Sequence, residues 1–406
     1  MEGSDAPWRG DKWWVSPYNF SEEARSSLSF PKQVYIHDVT LRDGEQTPGV
    51  VLRSEEKLAI ARELDAVGVH RIEAGMPVVS KDDFNAVKAI AREGLKAKVF
   101  AFARLVKEDI DAAVEAEVSG IIVEGPVGVP KLMQFGWSGE SVVEKAVSGV
   151  EYAKQHGLYT VFFGVDGTRA DLNFLKNLYQ TVVREAKADA IAVVDTFGCA
   201  TPEGFRYLVR EIRKSVEVPI EVHCHNDFGL GTACSVAGLS AGAEVVHVSV
   251  NGIGERAGNA ALEEVSLTLE LLYKVRVGLN YPKLVQLSKL VERLTGFKMP
   301  PNKPVVGDRV FTRESGISVA GWMKYHLGSE AYLPELVGNK HDVLLGKKSG
   351  RHSIEWKLKQ LGLECSQEEL QPLADKVKEL SIERKGPISE QELVAILKEL
   401  RAAKAR

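Results

Sequence analysis

The sequence is poor in cysteine and has no clear excess of either charge. Its four cysteines show no Cys-x-x-Cys spacing and are too few for a disulfide framework. With 52 basic against 56 acidic residues, the formal net charge is -4, which gives no electrostatic argument for binding nucleic acid or an anionic membrane. The first residues also lack the basic and apolar regions of a secretory signal. From these absences we expect a protein of the reducing cytoplasm.

Long apolar segments are absent as well. No apolar run reaches the ~18 residues that would predict a membrane span. The composition, 44% hydrophobic and 27% charged, is typical of a soluble globular enzyme. A chain of 406 residues is long enough for one large α/β barrel and a smaller domain.

What the sequence does contain is a regular alternation of short apolar runs with amphipathic stretches. Helical patterns lie between the runs, for example at 54–66, 81–92 and 109–117. Eight strands separated by helices predict an α/β fold of the (β/α)8 TIM-barrel type. A doubly wound sheet is the main alternative, but it needs no eighth strand, and no Gly-x-Gly-x-x-Gly follows the first run. The eight runs are 34–38, 71–75, 98–103, 120–124, 159–165, 190–195, 220–225 and 245–250.

The two ends of the chain differ in character from this central region. Residues 1–30 are rich in Trp, Ser and Pro, and we expect them to form an N-terminal arm or a partner-docking segment. The TIM-barrel catalytic domain is expected over 31–280. A Pro-rich hinge at 299–304 and helical patterns at 354–361, 367–380 and 390–401 predict helical C-terminal subdomains over 281–406, with no strands.

Two histidines end the seventh apolar run. His223 and His225 are two residues apart, so they lie on one face of a strand about 7 Å apart along it. Imidazoles that converge at a strand end suit a divalent metal. The alternative is a pair of buried, hydrogen-bonded core histidines.

Polar residues cluster at the ends of other predicted strands too, which is where a TIM barrel has its active site. Taken singly, each has a structural explanation: Glu73 as a buried ion-pair partner, for example, or Arg42 as a loop anchor. Taken together, they are typical of a metal-dependent barrel enzyme. The clusters are 37–46, 73–75, Arg104, 195–196, 223–227 and 251–260.

Three of these segments resemble the DRE-TIM metallolyase superfamily. They are Asp-Val-Thr-Leu-Arg-Asp-Gly-Glu-Gln at 38–46, His-Cys-His-Asn-Asp at 223–227, and the stretch 251–259. The Gly-Glu-Arg-Ala-Gly-Asn form at 254–259 is similar to the Claisen-condensing branch, the 2-isopropylmalate, citramalate and homocitrate synthases. The resemblance spans roughly residues 33–355 and includes Gly-Lys-Lys-Ser-Gly-Arg-His at 346–352, similar to the C-terminal subdomain of the synthases.

The resemblance implies that Asp43, His223 and His225 hold a divalent cation, with Asn259 as a fourth candidate ligand. The cation is expected to be Mn, Mg, Zn or Co, since such a ligand set accepts all of these. It would bind a 2-oxo acid and polarise its keto group. Arg42 would stabilise the negative charge that grows on the keto oxygen.

The same resemblance assigns Glu73, Arg104, Thr196 and Gln46 to substrate binding, with Thr196 on the substrate carboxylate. The second substrate would be an acyl-CoA, expected to be acetyl-CoA. Its α-carbon would be deprotonated and attack the keto carbon, and the thioester would then be hydrolysed. Because the family works as homodimers, we expect a homodimer whose C-terminal region reaches the partner's barrel.

The chain departs from the family where a base is expected. Val165 stands in place of the Glu that follows the fifth strand, and an Arg that homocitrate synthases have near Val161 is absent. Ser318 stands where the family has a His delivered by the neighbouring subunit. The exit of the fourth strand, Gly-Pro-Val-Gly-Val-Pro at 125–130, replaces a Ser/Thr-rich stretch.

Three functions therefore stay open. The favoured one is an acyl-CoA-dependent 2-oxo acid synthase in which Asp166, Tyr332 or His341 replaces the usual base. The second is a metal-dependent aldolase or lyase that releases a 2-oxo acid. The third is a non-catalytic relative that binds metal and 2-oxo acid without turnover.

Overall fold

Eight parallel strands close into a barrel in the computed structural model, which describes residues 6–404. The last strand pairs with both the seventh and the first, so that His247 lies level with His37. The expected TIM barrel is thereby confirmed. In chain order the strands are β1 Tyr35–Asp38, β2 Arg71–Glu73, β3 Lys98–Arg104, β4 Gly120–Pro126, β5 Tyr159–Val165, β6 Ala190–Asp195, β7 Ile220–Cys224 and β8 Val245–Val248.

Helices alternate with the strands because amphipathic segments between them bury one face against the barrel. Local signals set their ends: Thr201 caps the helix that begins at Pro202, and Gly68, with φ of 96°, ends the helix Ser54–Val67. The α-helices of this unit are Glu22–Arg25, Ser54–Val67, Lys81–Arg92, Lys107–Glu115, Val129–Phe135, Gly139–Gln155, Leu172–Arg184, Pro202–Arg213, Gly231–Leu239, Leu262–Thr268 and Leu284–Thr295.

The interior of the barrel contains an apolar cluster and a set of paired buried charges. Phe100, Phe102, Ile122 and Phe163 belong to the cluster. The paired side chains come from β1, β2, β7 and β8. The contacts are His37 Nε2 to Glu73 Oε2 at 3.1 Å, His247 Nε2 to Glu221 Oε2 at 2.7 Å, and Arg71 Nη1 to Glu221 Oε1 at 2.6 Å. The buried carboxylates of Glu73 and Glu221 are therefore paired, as burial of charge requires.

A second compact unit combines residues 6–16 with 300–404, and the barrel unit is Pro17–Met299. These divisions differ from the expected boundaries after 30 and 280, because Leu284–Thr295 packs on Ser54–Val67 of the barrel unit. Trp322, Ile354 and Leu373 are buried in the core of the second unit. Its α-helices are Gly316–Lys324, Arg351–Gln360, Gln367–Arg384 and Glu390–Lys404.

The C-terminal region is mainly helical, as expected, but the second unit also contains short strands. Thr312–Arg313 pairs in parallel with Asp342–Val343, and Arg9–Gly10 forms a hairpin with Trp13–Trp14. Strands of two residues are too short to show an alternating pattern in the sequence. Across residues 6–404, no helix combines the length and hydropathy needed to cross a bilayer.

Candidate active site

A cavity of about 810 Å³ opens at the carboxyl ends of the barrel strands. Residues from the end of every strand, or from the loop after it, contribute to its wall. Most of the polar residues singled out from the sequence meet here. The polar and charged wall residues are Arg42, Asp43, Glu45, Gln46, Lys57, Asp83, Arg104, Glu124, Lys131, Thr196, His223, His225, Glu255 and Arg256.

Asp43, His223 and His225 converge at the wall of this cavity. The Nε2 atoms of the two histidines are 3.1 Å apart, and they lie 3.5 and 3.6 Å from Asp43 Oδ2. The rings tilt 70° to each other, which brings their Nε2 atoms much closer than the strand spacing alone would. Three buried ligand atoms within this range form a group that could hold a metal ion.

The electrostatics of this group keep its ligand atoms in the forms that bind metal. Burial lowers the pKa of His223 and lowers the pKa of His225 to about 4, so both imidazoles are neutral near pH 7. Burial alone would raise the pKa of Asp43, but the Arg42 guanidinium and the two histidines hold that pKa well below its usual value. An ionised carboxylate beside neutral imidazoles is what a divalent cation requires.

Asn259 lies beside the same carboxylate. Its Nδ2 donates to Asp43 Oδ1 at 2.9 Å and to the Ile253 carbonyl at 3.1 Å, which fixes the amide. Its Oδ1 is buried and accepts no hydrogen bond from any residue in 6–404. A buried acceptor without a donor fits a role as a further cation ligand. The donor set therefore fits a divalent metal.

Arg42 occupies the floor of the cavity next to this group. Its Nε donates to Glu73, and its Nη1 donates to Asp43 Oδ2 and Gln46 Oε1, both at 3.2 Å. Its guanidinium lies 3.9 Å from the centre of the Phe102 ring. Nη2 is buried and has no hydrogen-bond partner among residues 6–404. The guanidinium is thus held in place with one N–H direction free for a ligand.

Glu73 does not line the cavity, although the sequence analysis gave it a substrate role. It is fully buried, and its two oxygens accept from Arg42 and from His37. Burial would raise the pKa of Glu73, but Arg42 and His37 lower it to about 2. The carboxylate therefore stays ionised and positions Arg42.

The other expected substrate residues do reach the cavity. Gln46 lines it while accepting from Arg42, and Thr196 lines it while its Oγ1 accepts from the Asp166 amide at 2.7 Å. Arg104 also lines it, and its Nε and Nη2 donate to the two carboxylate oxygens of Asp109, at 2.8 and 2.9 Å.

Of the three residues suggested as replacement bases, Asp166 lies in the barrel unit, and Tyr332 and His341 lie in the second unit. Asp166 is fully buried, and both carboxylate oxygens accept from Arg169, at 2.7 and 2.8 Å. It is not part of the cavity wall. Tyr332 and His341 belong to the second unit, where His341 Nε2 lies 2.6 Å from Glu330 Oε1. The Tyr332 ring packs on Phe311 there, with centroids 5.5 Å apart.

Four charged wall residues were missed from the sequence, namely Lys57, Asp83, Glu124 and Lys131. Glu124 is the fifth residue of the apolar run of β4, and Lys131 follows on the short helix Val129–Phe135, 5.6 Å above the Phe197 ring. A Glu that interrupts an apolar strand near its end was the available signal. Val165, the substitute for the family's Glu, also lines the cavity.

Comparison with known proteins agrees with this geometry. The HMGL-like family model matches residues 33–291, and the homocitrate synthase post-HMGL domain-like model matches residues 305–385. The chain belongs to the HMGL-like family. Within that family it is a member of the Claisen-condensing DRE-TIM branch, as its three segments predicted.

Several curated HMGL-like relatives are similar over most of their length. Homocitrate synthase AksA of Methanothermobacter thermautotrophicus is 45% identical over 368 residues, which is 90% of this chain and 93% of that protein. A probable 2-isopropylmalate synthase of Methanopyrus kandleri is 48% identical, covering 86% of this chain and 70% of that protein. A putative (R)-citramalate synthase CimA of the same organism is 46% identical, covering 93% and 74%.

Among solved structures, HMG-CoA lyase of Bacillus subtilis has a TM-score of 0.60 at 22% identity. The match covers 67% of this chain and 97% of that one. This likeness supports the barrel fold of the HMGL-like unit.

Proposed function

We propose that the protein is a metal-dependent synthase that condenses an acyl-CoA with a 2-oxo acid. The observation that carries the proposal is the convergence of Asp43, His223 and His225 with the free Nη2 of Arg42 in one cavity. A 2-oxo acid presents a carboxylate and a keto oxygen side by side, which matches a cation site next to a guanidinium. Curated relatives named as homocitrate, 2-isopropylmalate and citramalate synthases support the same reaction class.

Asp43, His223 and His225 would hold the cation, with Asn259 as a further ligand; Mn, Mg, Zn and Co all suit this donor set. When bound, the cation would act as a Lewis acid on the keto group. Arg42 donates from Nη2 to the keto oxygen as negative charge develops there. Thr196 and Gln46 bind the substrate from the cavity wall, and Glu73 keeps the guanidinium in place from below.

Thiol release tests this proposal. The protein is incubated with acetyl-CoA or propionyl-CoA, a panel of 2-oxo acids and Mn²⁺, and free CoA is titrated with a thiol reagent. We expect thiol release with at least one pair, its loss on treatment with EDTA, and its return on adding metal. No thiol above the rate without 2-oxo acid, for any pair and metal, would contradict the proposal.

Val165 is apolar and lines the cavity where the family has a Glu. This difference supports one alternative function, a lyase that cleaves a hydroxy acid to a 2-oxo acid. Release of a 2-oxo acid from such a substrate without CoA would favour it.

A further inference from the structure

Glu124 is a cavity carboxylate with no partner of its own. It lines the same wall as His223 and Arg42. Among residues 6–404, no group donates a hydrogen bond to it or lies within ion-pair distance of it. The side chain is half-buried, so its carboxylate can meet a substrate in the cavity, and ionisable groups placed in this way are candidates for acid–base chemistry.

The strand register places Glu124 close to the reacting region. It lies level with Arg104 on β3 and with Phe163 on β5. The Phe163 ring packs on His223 with centroids 5.2 Å apart, and Val165 is two residues further along the same strand. Because Val165 is level with Pro126, Glu124 lies on the neighbouring strand, two residues deeper than the position of the family's Glu, and both residues line the cavity.

The other carboxylates of the cavity wall are already engaged. Glu45 and Asp83 both pair with Lys57, at 2.5 and 2.8 Å. Asp43 belongs to the metal-ligand group. Glu255 is exposed and lies 3.5 Å from Arg256. Within the described chain, Glu124 is the carboxylate of this wall that is free to accept a proton from a substrate.

We infer that Glu124 is the base that removes the α-proton of the acyl-CoA, in place of the Glu that Val165 replaces. This inference rests on the proposed condensation. In that step the carboxylate takes the proton, the C–H electron pair forms the new C–C bond to the keto carbon, and the keto π pair moves to oxygen beside Arg42 Nη2. The oxygen takes a proton from solvent to become the product hydroxyl, and Glu124 returns its proton to solvent. Water then adds to the thioester carbonyl and the C–S bond breaks, which gives the carboxylic acid and CoA as the thiol.

The charges around Glu124 suit this task. Burial raises its pKa, and Arg42, Lys131 and Arg104 act against that rise while Glu73 adds to it. The net direction is upward, which makes the carboxylate a stronger base than an exposed Glu. Because the base must be ionised, activity is present above this pKa and falls as the pH drops through it.

Glu124→Gln tests the inference, because the amide keeps the size of the side chain and removes its basicity. We expect kcat for thiol release to fall by at least about 100-fold, and the acidic limb of the kcat–pH profile to disappear from the remaining rate. Binding of Mn²⁺ and of the 2-oxo acid, measured by calorimetry, should stay close to wild type. The exposed Glu115→Gln on helix Lys107–Glu115 serves as the matched control and should change neither.

The outcomes separate the two claims. Wild-type turnover that persists in Glu124→Gln with its acidic limb intact would overturn the base assignment alone. A loss of kcat accompanied by a loss of 2-oxo acid or Mn²⁺ binding would make Glu124 a binding or structural residue, and it would also overturn the assignment. Absence of thiol release from the wild-type protein with every substrate pair would overturn both the base and the proposed function.

Discussion

Replacing Arg42 with Lys probes the floor of the cavity. The Arg42 guanidinium is held by hydrogen bonds from Nε to Glu73 and from Nη1 to Asp43 and Gln46, the latter two at 3.2 Å. Its Nη2 has no hydrogen-bond partner among residues 6–404. Lys has one nitrogen, so it cannot pair with Glu73 and also donate to the keto oxygen. The variant keeps the positive charge but loses the donor at the developing oxyanion.

Loss of one such donor lowers kcat by about 100- to 1000-fold, equivalent to roughly 2.7–4 kcal/mol. Stability should fall less, by about 1–3 kcal/mol, because the Lys charge still compensates buried Glu73 while the contact with Phe102 is weakened. Steady-state thiol release at saturating substrates gives kcat, and urea unfolding gives the stability change.

Arg53→Lys is the matched control, since Arg53 is 73% exposed and only 3.6 Å from equally exposed Glu55. Its kcat should equal wild type. If Arg42→Lys kept kcat within about threefold of wild type, roughly 0.6 kcal/mol, Arg42 would not be the oxyanion donor and the reasoning would be refuted.

Three further predictions concern the metal group and its support. Asp43→Asn should weaken Mn²⁺ binding in calorimetry by more than the roughly 10–100-fold expected for an outer-shell partner; an unchanged affinity would remove Asp43 from the ligand set. Burial lowers the pKa of His225 to about 4, so its imidazole is still neutral at pH 5.5. Mn²⁺ affinity at pH 5.5 should therefore be close to the affinity at pH 7. A steep loss of affinity by pH 5.5 would contradict the lowered pKa of His225. Lys57→Met should cost about 3 kcal/mol in urea unfolding, since it leaves the carboxylates of Glu45 and Asp83 without their buried cation, and a cost below about 1 kcal/mol would contradict the buried network.

The barrel and the convergence of Asp43 with the two histidines were predictable because their signals are local. Each strand is a short buried run, and helical periodicity separates the runs. His223 and His225 lie at the end of such a run, so the parallel strands bring them to the same rim as Asp43. Because parallel strands end at the same rim, the residues that follow each strand form most of the cavity wall.

Local sequence signals could not predict the roles of Glu73, Asp166 and Glu124. Glu73 and Asp166 carry the charge expected of site residues, but the oxygens of Glu73 are held by Arg42 and His37, and those of Asp166 by Arg169, three residues further along the chain. Glu124 looked like part of an apolar strand, and its unpaired state appears only when the neighbouring strands are in place. The homodimer and the cytoplasmic location stay predictions.

The central claim is that this cavity forms a carbon–carbon bond between an acyl-CoA and a 2-oxo acid. It is tested most directly by mass spectrometry of the products made from acetyl-CoA labelled with ¹³C in its acetyl group. We expect a new hydroxylated dicarboxylic or tricarboxylic acid that carries both ¹³C atoms, formed only with divalent metal and in equal amount to free CoA. Labelled acetate as the sole labelled product, with the 2-oxo acid unconsumed, would contradict it.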